Sequence, residues 1–289
     1  MLRVILFAAV FALGAAPLAQ AETRKSNRVD SEHLFGFVEG ADIGELKETE
    51  IESETIGRFG KGSGSYSNAA TAVEIKHTLL ENLRISAAAA FAYAAMSGVN
   101  GLGDSRRTAM QGVAVGMRYR VLDRAHAPVG LTLSVEPRWS FVDDVSNAPA
   151  DRQSAVFLLL ADRELVPGRV FGAVNLLYEP ERTRLRGSGE IDHESTFGAG
   201  AALTAQIAPG VFLGGEARYL RRYEGLTLNA FAGQALYAGP TLYAALGGPW
   251  WLSAAWDVQV WGAAASRSDA LDLTHFERHQ VKFRLGFSF

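Results

Sequence analysis

The 289-residue sequence has no cysteine, which excludes a disulfide scaffold and any thiolate metal site. It also suits a chain that crosses an oxidising compartment unfolded. No strong charge of either sign is present: the formal net charge is −3. Loss of a leader carrying Arg3 takes it to about −4, so nothing points to a nucleic-acid partner. Beyond residue 21 there is no apolar run of 18 residues, hence no helix able to span a bilayer. The P-loop, the dinucleotide fingerprint and Gly-x-Ser-x-Gly are also missing, so no cofactor is expected. The glycines of residues 60–64 follow no buried strand and open no helix. Six histidines (33, 77, 126, 193, 275 and 279) show no metal spacing except His275 and His279. Those two are four apart, would meet only on a helix, and are expected on a strand, so no metal is expected.

The N-terminus carries Arg3, an uninterrupted apolar run from Val4 to Ala16, and the small-x-small triplet Ala19-Gln20-Ala21. This is the pattern of a secretory signal peptide over residues 1–21, which implies export through the Sec pathway. The apolar run is too short for a comfortable membrane span. Residues 22–33 are polar and are expected to form a periplasmic extension.

From about residue 66 onward, segments of 10–15 residues alternate apolar and polar positions. That is the period of a strand, not of a helix. The last segment is the clearest: Val281, Phe283, Leu285, Phe287 and Phe289 lie on one face, with Lys282, Arg284, Gly286 and Ser288 on the other. This pattern, running back from a C-terminal Phe, resembles the assembly signal of Gram-negative outer-membrane β-barrels. The resemblance implies an outer-membrane location, lipid contacts, and recognition by the barrel assembly machinery through this strand.

Other segments alternate in the same way. Val113, Val115, Met117, Tyr119 and Val121 share a face, as do Leu131, Leu133, Val135, Trp139 and Phe141. So do Phe197, Leu203 and Ile207, and likewise Leu252, Trp256, Val258 and Val260. Arg, Lys, Glu, Gly and Ala recur opposite them. This suits an apolar band against lipid and a polar lumen. Residues 155–161 are apolar on both faces and 34–43 are ambiguous. Short turns (81–82, 123–127, 165–168, 208–210, 247–249) alternate with longer links (97–106, 143–150, 183–191, 224–233, 265–274). They join eleven strands, and residues 34–43 supply a twelfth, with 45–64 as the first external loop. The expected fold is an all-β, antiparallel up-and-down transmembrane barrel over residues 34–289. Trp250, Trp251, Phe212, Tyr219, Tyr223, Tyr119, Trp139, Phe141 and Tyr178 are expected to form interfacial belts.

Projecting the alternation inward gives Arg84, Arg118, Arg120, Arg138, Arg218, Arg222, Arg278, Lys282, Arg284 and Lys76 as basic lumen residues. Glu74, Glu136, Glu216 and Asp257 are the acidic ones. The twofold basic excess points to a passive channel for small anionic or amphiphilic solutes. Salt-bridge ladders, seeded by Glu136 with Arg138 and Glu216 with Arg218, would narrow it. The run from Leu177 to Glu181 resembles transporter-like and porin-like outer-membrane proteins of proteobacteria. Two other functions are set beside it. One is a structural or surface-interaction barrel. The other is an outer-leaflet lipid hydrolase, since His193-Glu194-Ser195 resembles the His-x-Ser element of the twelve-stranded outer-membrane phospholipase A. That enzyme continues with Asn-Gly where Thr196-Phe197 stand here, and no orienting partner is evident, so catalysis is not expected.

Overall fold

The computed structural model describes residues 29–265 and 269–289. The expected signal peptide lies outside the described residues. Twelve strands run in order: β1 (Thr49–Phe59), β2 (Ser65–Leu80), β3 (Leu83–Ser97), β4 (Ser105–Leu122), β5 (Gly130–Val142) and β6 (Pro149–Val166), then β7 (Val170–Leu185), β8 (Ile191–Ala208), β9 (Val211–Glu224), β10 (Ala230–Gly247), β11 (Trp250–Ala264) and β12 (His279–Ser288). Each pairs antiparallel with its sequence neighbours, and β1 pairs with β12 to close the barrel. Closure satisfies every strand edge internally, which a wall in lipid requires. The sharpest hairpin, between β10 and β11, uses Gly247 and Gly248, both at positive φ (99° and 57°), the conformation a tight strand reversal demands.

The period-two alternation assigns the faces. Val73, Leu203, Ile207, Trp256 and Val260 are each more than half exposed on the outer wall. Lys76, Arg84, Thr132, Asp257, Lys282 and Arg284 on the opposite parity are buried inside. A continuous apolar outer surface with a charged interior inverts the soluble pattern and fits a lipid-facing band. Among the described residues no helix is long and apolar enough to cross a membrane. The short turns and the C-terminus share one end, taken as periplasmic, and the longer links share the extracellular end. The doubly apolar residues 155–161 lie in β6, with Leu160 fully buried on the inner face.

Four expectations are corrected. Residues 34–43 are not the twelfth strand; they form no ladder and lie inside the barrel, with Leu34, Phe35, Val38 and Ile43 essentially inaccessible. Their apolar residues do not alternate, and their amides are satisfied by side chains of the wall. The twelfth strand is β1, taken from the acidic stretch expected to be a loop. Glu50, Glu52 and Glu54 there alternate inward, while the outer positions include Ser53 and Thr55, so the apolar signal is faint. Residues 29–33, expected in a periplasmic extension, continue the internal segment: Ser31, Glu32 and His33 are buried. Two belt aromatics, Phe212 and Trp251, also point inward, at 1% and 5% exposure, because the internal segment gives them something to pack against.

Candidate functional site

Residues 29–43 form a plug across the periplasmic third of the lumen. Its apolar side, Leu34, Phe35 and Val38, packs on Phe171, Ala173, Ala202 and Phe212, near the periplasmic ends of β7, β8 and β9. Small inner residues make room for it: a Cβ on Gly200 would lie 2.9 Å from Val38 Cγ2. The plug backbone is held by polar wall side chains. The amides of Phe37 and Val38 donate to the Glu216 carboxylate (2.9 and 2.8 Å), and that of Ala41 donates to Asp162 (3.0 Å). Asn175 accepts from the Glu39 amide at 2.7 Å and donates back to its carbonyl at 2.8 Å. Thr78 and Thr132 donate to the carbonyls of Ile43 and Ala41, and Arg284 to that of Phe35. Every wall group here replaces a bond that a strand partner would have made.

Two plug carboxylates reach into the cationic side of the lumen. Glu32 pairs with Lys76 (3.1 Å), Arg84 and Arg118 (3.3 Å). Glu39 pairs with Arg118 and Lys282 (3.6 Å). Burial pushes the Glu32 carboxyl up, but Arg84, then Lys76, His33 and Arg118 outweigh it and hold it at about 2. Burial likewise opposes ionisation of Glu39, and Arg118, Lys282 and Arg284 hold it well below the carboxylate range. These cations hold both plug carboxylates in their charged form. Phe37 lies under the Arg218 guanidinium, 3.7 Å from ring centroid to Cζ. His33 stacks on Trp251 with centroids 3.8 Å apart, its Nε2 3.1 Å from Glu50. Glu32, His33 and Glu50 could offer three ligand atoms to a metal. Lys76 Nζ already bridges Glu32 and Glu50 at 3.1 and 3.0 Å, however, so the cluster fits a resident ammonium better than a divalent ion.

Above the plug lies a cavity of about 270 Å³. Its walls carry seven carboxylates (Glu39, Glu52, Glu54, Glu74, Glu136, Asp144, Glu179) and seven cations (Arg58, Lys76, Arg84, Arg118, Arg138, Arg152, Arg284). Two external loops fold over its mouth. In residues 143–148, Asp144 pairs with Arg58 and Arg152, and Tyr66 donates to the Val145 carbonyl at 3.0 Å. Burial raises Asp144, but Arg152 and Arg58 hold it well below its ordinary value. In the link before β12, Glu277 pairs with Lys61 (3.1 Å), and Phe276 packs on Tyr237.

The sequence profile of the family of unknown function DUF6662 matches residues 27–289. The chain belongs to that family. A search of curated proteins finds no match. Among solved structures, an outer-membrane channel of Pseudomonas putida F1 superposes with a TM-score of 0.61 at 10% identity, covering 86% of this chain and 98% of that one. The β domain of the Bordetella autotransporter BrkA gives 0.52 at 16% identity, covering 84% and 100%. The superpositions show a shared fold. This DUF6662 member is thus an outer-membrane-type β-barrel with an internal plug.

The residues projected into the lumen of this family member separate into distinct groups. Lys76, Arg84, Arg118, Lys282 and Arg284 meet at the plug, and Glu74, Glu136 and Arg138 line the cavity. Glu136 and Arg138 bond each other directly at 2.5 Å. Arg218 pairs with Asp257 at 2.8 Å, which leaves Glu216 to the plug amides. Arg222 pairs with Glu194. Arg120 sits at the periplasmic rim on the Glu81 carbonyl and Asp123. Arg278 precedes β12 and is exposed. The basic excess read from alternation is offset by carboxylates it missed: Glu32, Glu39, Glu50, Glu52, Glu54, Glu179 and Glu181. The Glu-x-Glu-x-Glu run at 50–54 was a readable signal of one strand face. The plug contacts were not readable, because they join side chains and backbone groups from 35 to 249 positions apart, with no local pattern to mark them.

Ser195 is buried and its hydroxyl donates to the Gly225 carbonyl at 2.9 Å; it does not pair with His193, which is exposed. His275 lies in the last loop, its Nδ1 2.9 Å from Asp272. On β12, Val281, Phe283, Leu285 and Phe287 point outward, and Phe289 exchanges both backbone hydrogen bonds with Thr49 at 2.8 Å.

Proposed function

We propose that this barrel is a passive channel for small anionic solutes, closed at rest by its own N-terminal segment. The observation that carries this reading is the seating of Glu32 and Glu39 among Lys76, Arg84, Arg118, Lys282 and Arg284. Two carboxylates of the plug occupy positions where the wall offers guanidinium and ammonium donors, so they stand in for the carboxylates of a solute. Opening is withdrawal of a segment that is tethered to β1 through residues 44–48 and otherwise held by noncovalent contacts. The cavity above, with equal numbers of opposite charges, receives the solute without trapping it, and a path must release what it binds. The lumen's overall charge balance makes selectivity local to the plug seat.

The absence of native cysteine allows a direct test. Val38→Cys with Gly200→Cys places two thiols close enough for a disulfide between plug and wall. The oxidised full chain in a planar bilayer should be silent. Its reduced form should give discrete steps with an anion-directed reversal potential. Equal conductance in both states would show that the plug is no gate. Silence in both states, from a barrel shown to be folded, would show that it is no channel.

A further inference from the structure

The outer face of β7, β8 and β9 carries a feature unrelated to the lumen. On β7 the outward series runs Val174, Leu176, Tyr178, Pro180, Arg182, Arg184, from the apolar band to the extracellular rim. Pairing sets Arg182 opposite His193 on β8. Two outward positions toward the membrane, Tyr178 pairs with Phe157 and with Phe197, and Phe197 pairs with Arg221 on β9. Tyr178 and Phe157 stack at 6.2 Å, and Arg221 lies over Phe231 at 4.7 Å. An aromatic row at headgroup depth, with Arg221 level with it, is thus topped by Arg182, Arg184 and His193, and the four cationic or protonatable side chains lie on three adjacent strands.

These cations have little protein charge to answer them. Among the described residues, Arg182, Arg184 and Arg221 form no ion pair. Asp151, opposite Arg184, is taken by Arg186 at 2.6 Å. Glu181 and Glu194 lie on the inner face with Arg152 and Arg222. The other outward arginine on a neighbouring rim, Arg106, is committed to the Tyr93 hydroxyl at 2.9 Å. The loop 225–229 folds against this same face. Its Gly225 amide donates to the His193 carbonyl at 2.6 Å, and its Leu226 carbonyl accepts from the Tyr178 hydroxyl. Leu226 and Leu228 beside it are 45% and 46% exposed.

We infer that Arg182, Arg184, His193 and Arg221 form a binding site for the phosphate groups of an anionic outer-leaflet lipid, with Leu226 and Leu228 against its acyl chains. Planar guanidinium forks match phosphate oxygens bidentately. The apolar loop residues favour a lipid over a free anion. The hydrogen bonds from Gly225 to the His193 carbonyl and from the Ser195 hydroxyl to Gly225 fix the site's shape.

The test uses the folded full chain in detergent, with native mass spectrometry against diphosphoryl lipid A, monophosphoryl lipid A and inorganic phosphate. Diphosphoryl lipid A should bind best. A variant carrying Arg182→Ser, Arg184→Ser and Arg221→Ser should bind it about 100-fold more weakly, near fivefold for each cation at a charged interface. Arg106→Ser, on β4 and committed to the Tyr93 hydroxyl, should leave binding unchanged. Undiminished binding by the triple variant, shown folded by its heat-modifiable gel shift, would overturn the site. Displacement of the lipid by millimolar inorganic phosphate would overturn the lipid assignment.

Discussion

Replacing Glu32 by Gln should loosen the plug without altering the wall. The substitution keeps the volume and removes the charge that faces Lys76, Arg84 and Arg118. Breaking a buried ion pair from one side costs about 3–5 kcal/mol. Here the partners are not fully orphaned: Lys76 keeps Glu50 and Glu52, and Arg118 keeps Glu39. The lower end, about 3 kcal/mol, is therefore expected. The depression of Glu32 from 4.5 to about 2 leads to the same size, since each unit is about 1.4 kcal/mol. A loss of that size raises the ratio of undocked to docked plug by about 100-fold. Single-channel dwell times should shift toward the open state, and amides of residues 29–43 should exchange faster by a similar factor. The pH dependence has a definite sign. A depressed carboxylate contributes fully above about 4.5 and loses its contribution as pH falls through about 2. Wild-type open time should rise as pH falls below 4.5, and the Gln variant should show a smaller rise, the remainder coming from Glu39. Unchanged dwell times together with unchanged exchange in the variant would refute the electrostatic latch.

Two further outcomes test the packing. Val115 lies near the middle of β4 on the outer face, 48% exposed; Val115→Lys should destabilise the barrel by about 2–4 kcal/mol in urea unfolding from vesicles, and full tolerance would reverse the face assignment. An added Cβ at Gly286 would fall 2.2 Å from the Trp251 ring, which stacks on His33; Gly286→Ala should cost about 1–3 kcal/mol by overpacking, seen as lost near-ultraviolet dichroism and faster exchange at His33, with the outer wall unaffected.

The sequence by itself determined the wall. Alternation is a local property of each strand, so Val113 to Val121 or Val281 to Phe287 declare their faces without knowledge of their neighbours, and turn spacing then orders the strands. It failed where the local signal and the environment part company. β1 carries Ser and Thr outward and Glu inward, so it reads as an acidic loop, although Glu52 and Glu54 pair with cations of β2 and β12, the strands on either side of it. Residues 34–43 are apolar enough for a strand. Their place is set by Glu216, Asn175 and Asp162, side chains brought to one end of the barrel only when β1 meets β12. The charge balance followed the same division. Parity located the arginines, but their carboxylate partners come from the plug, from β1 and from a loop at the opposite mouth. Only closure of the barrel, which converts distant sequence into facing walls, decided that the cations predicted to line the lumen instead hold an internal segment of the same chain.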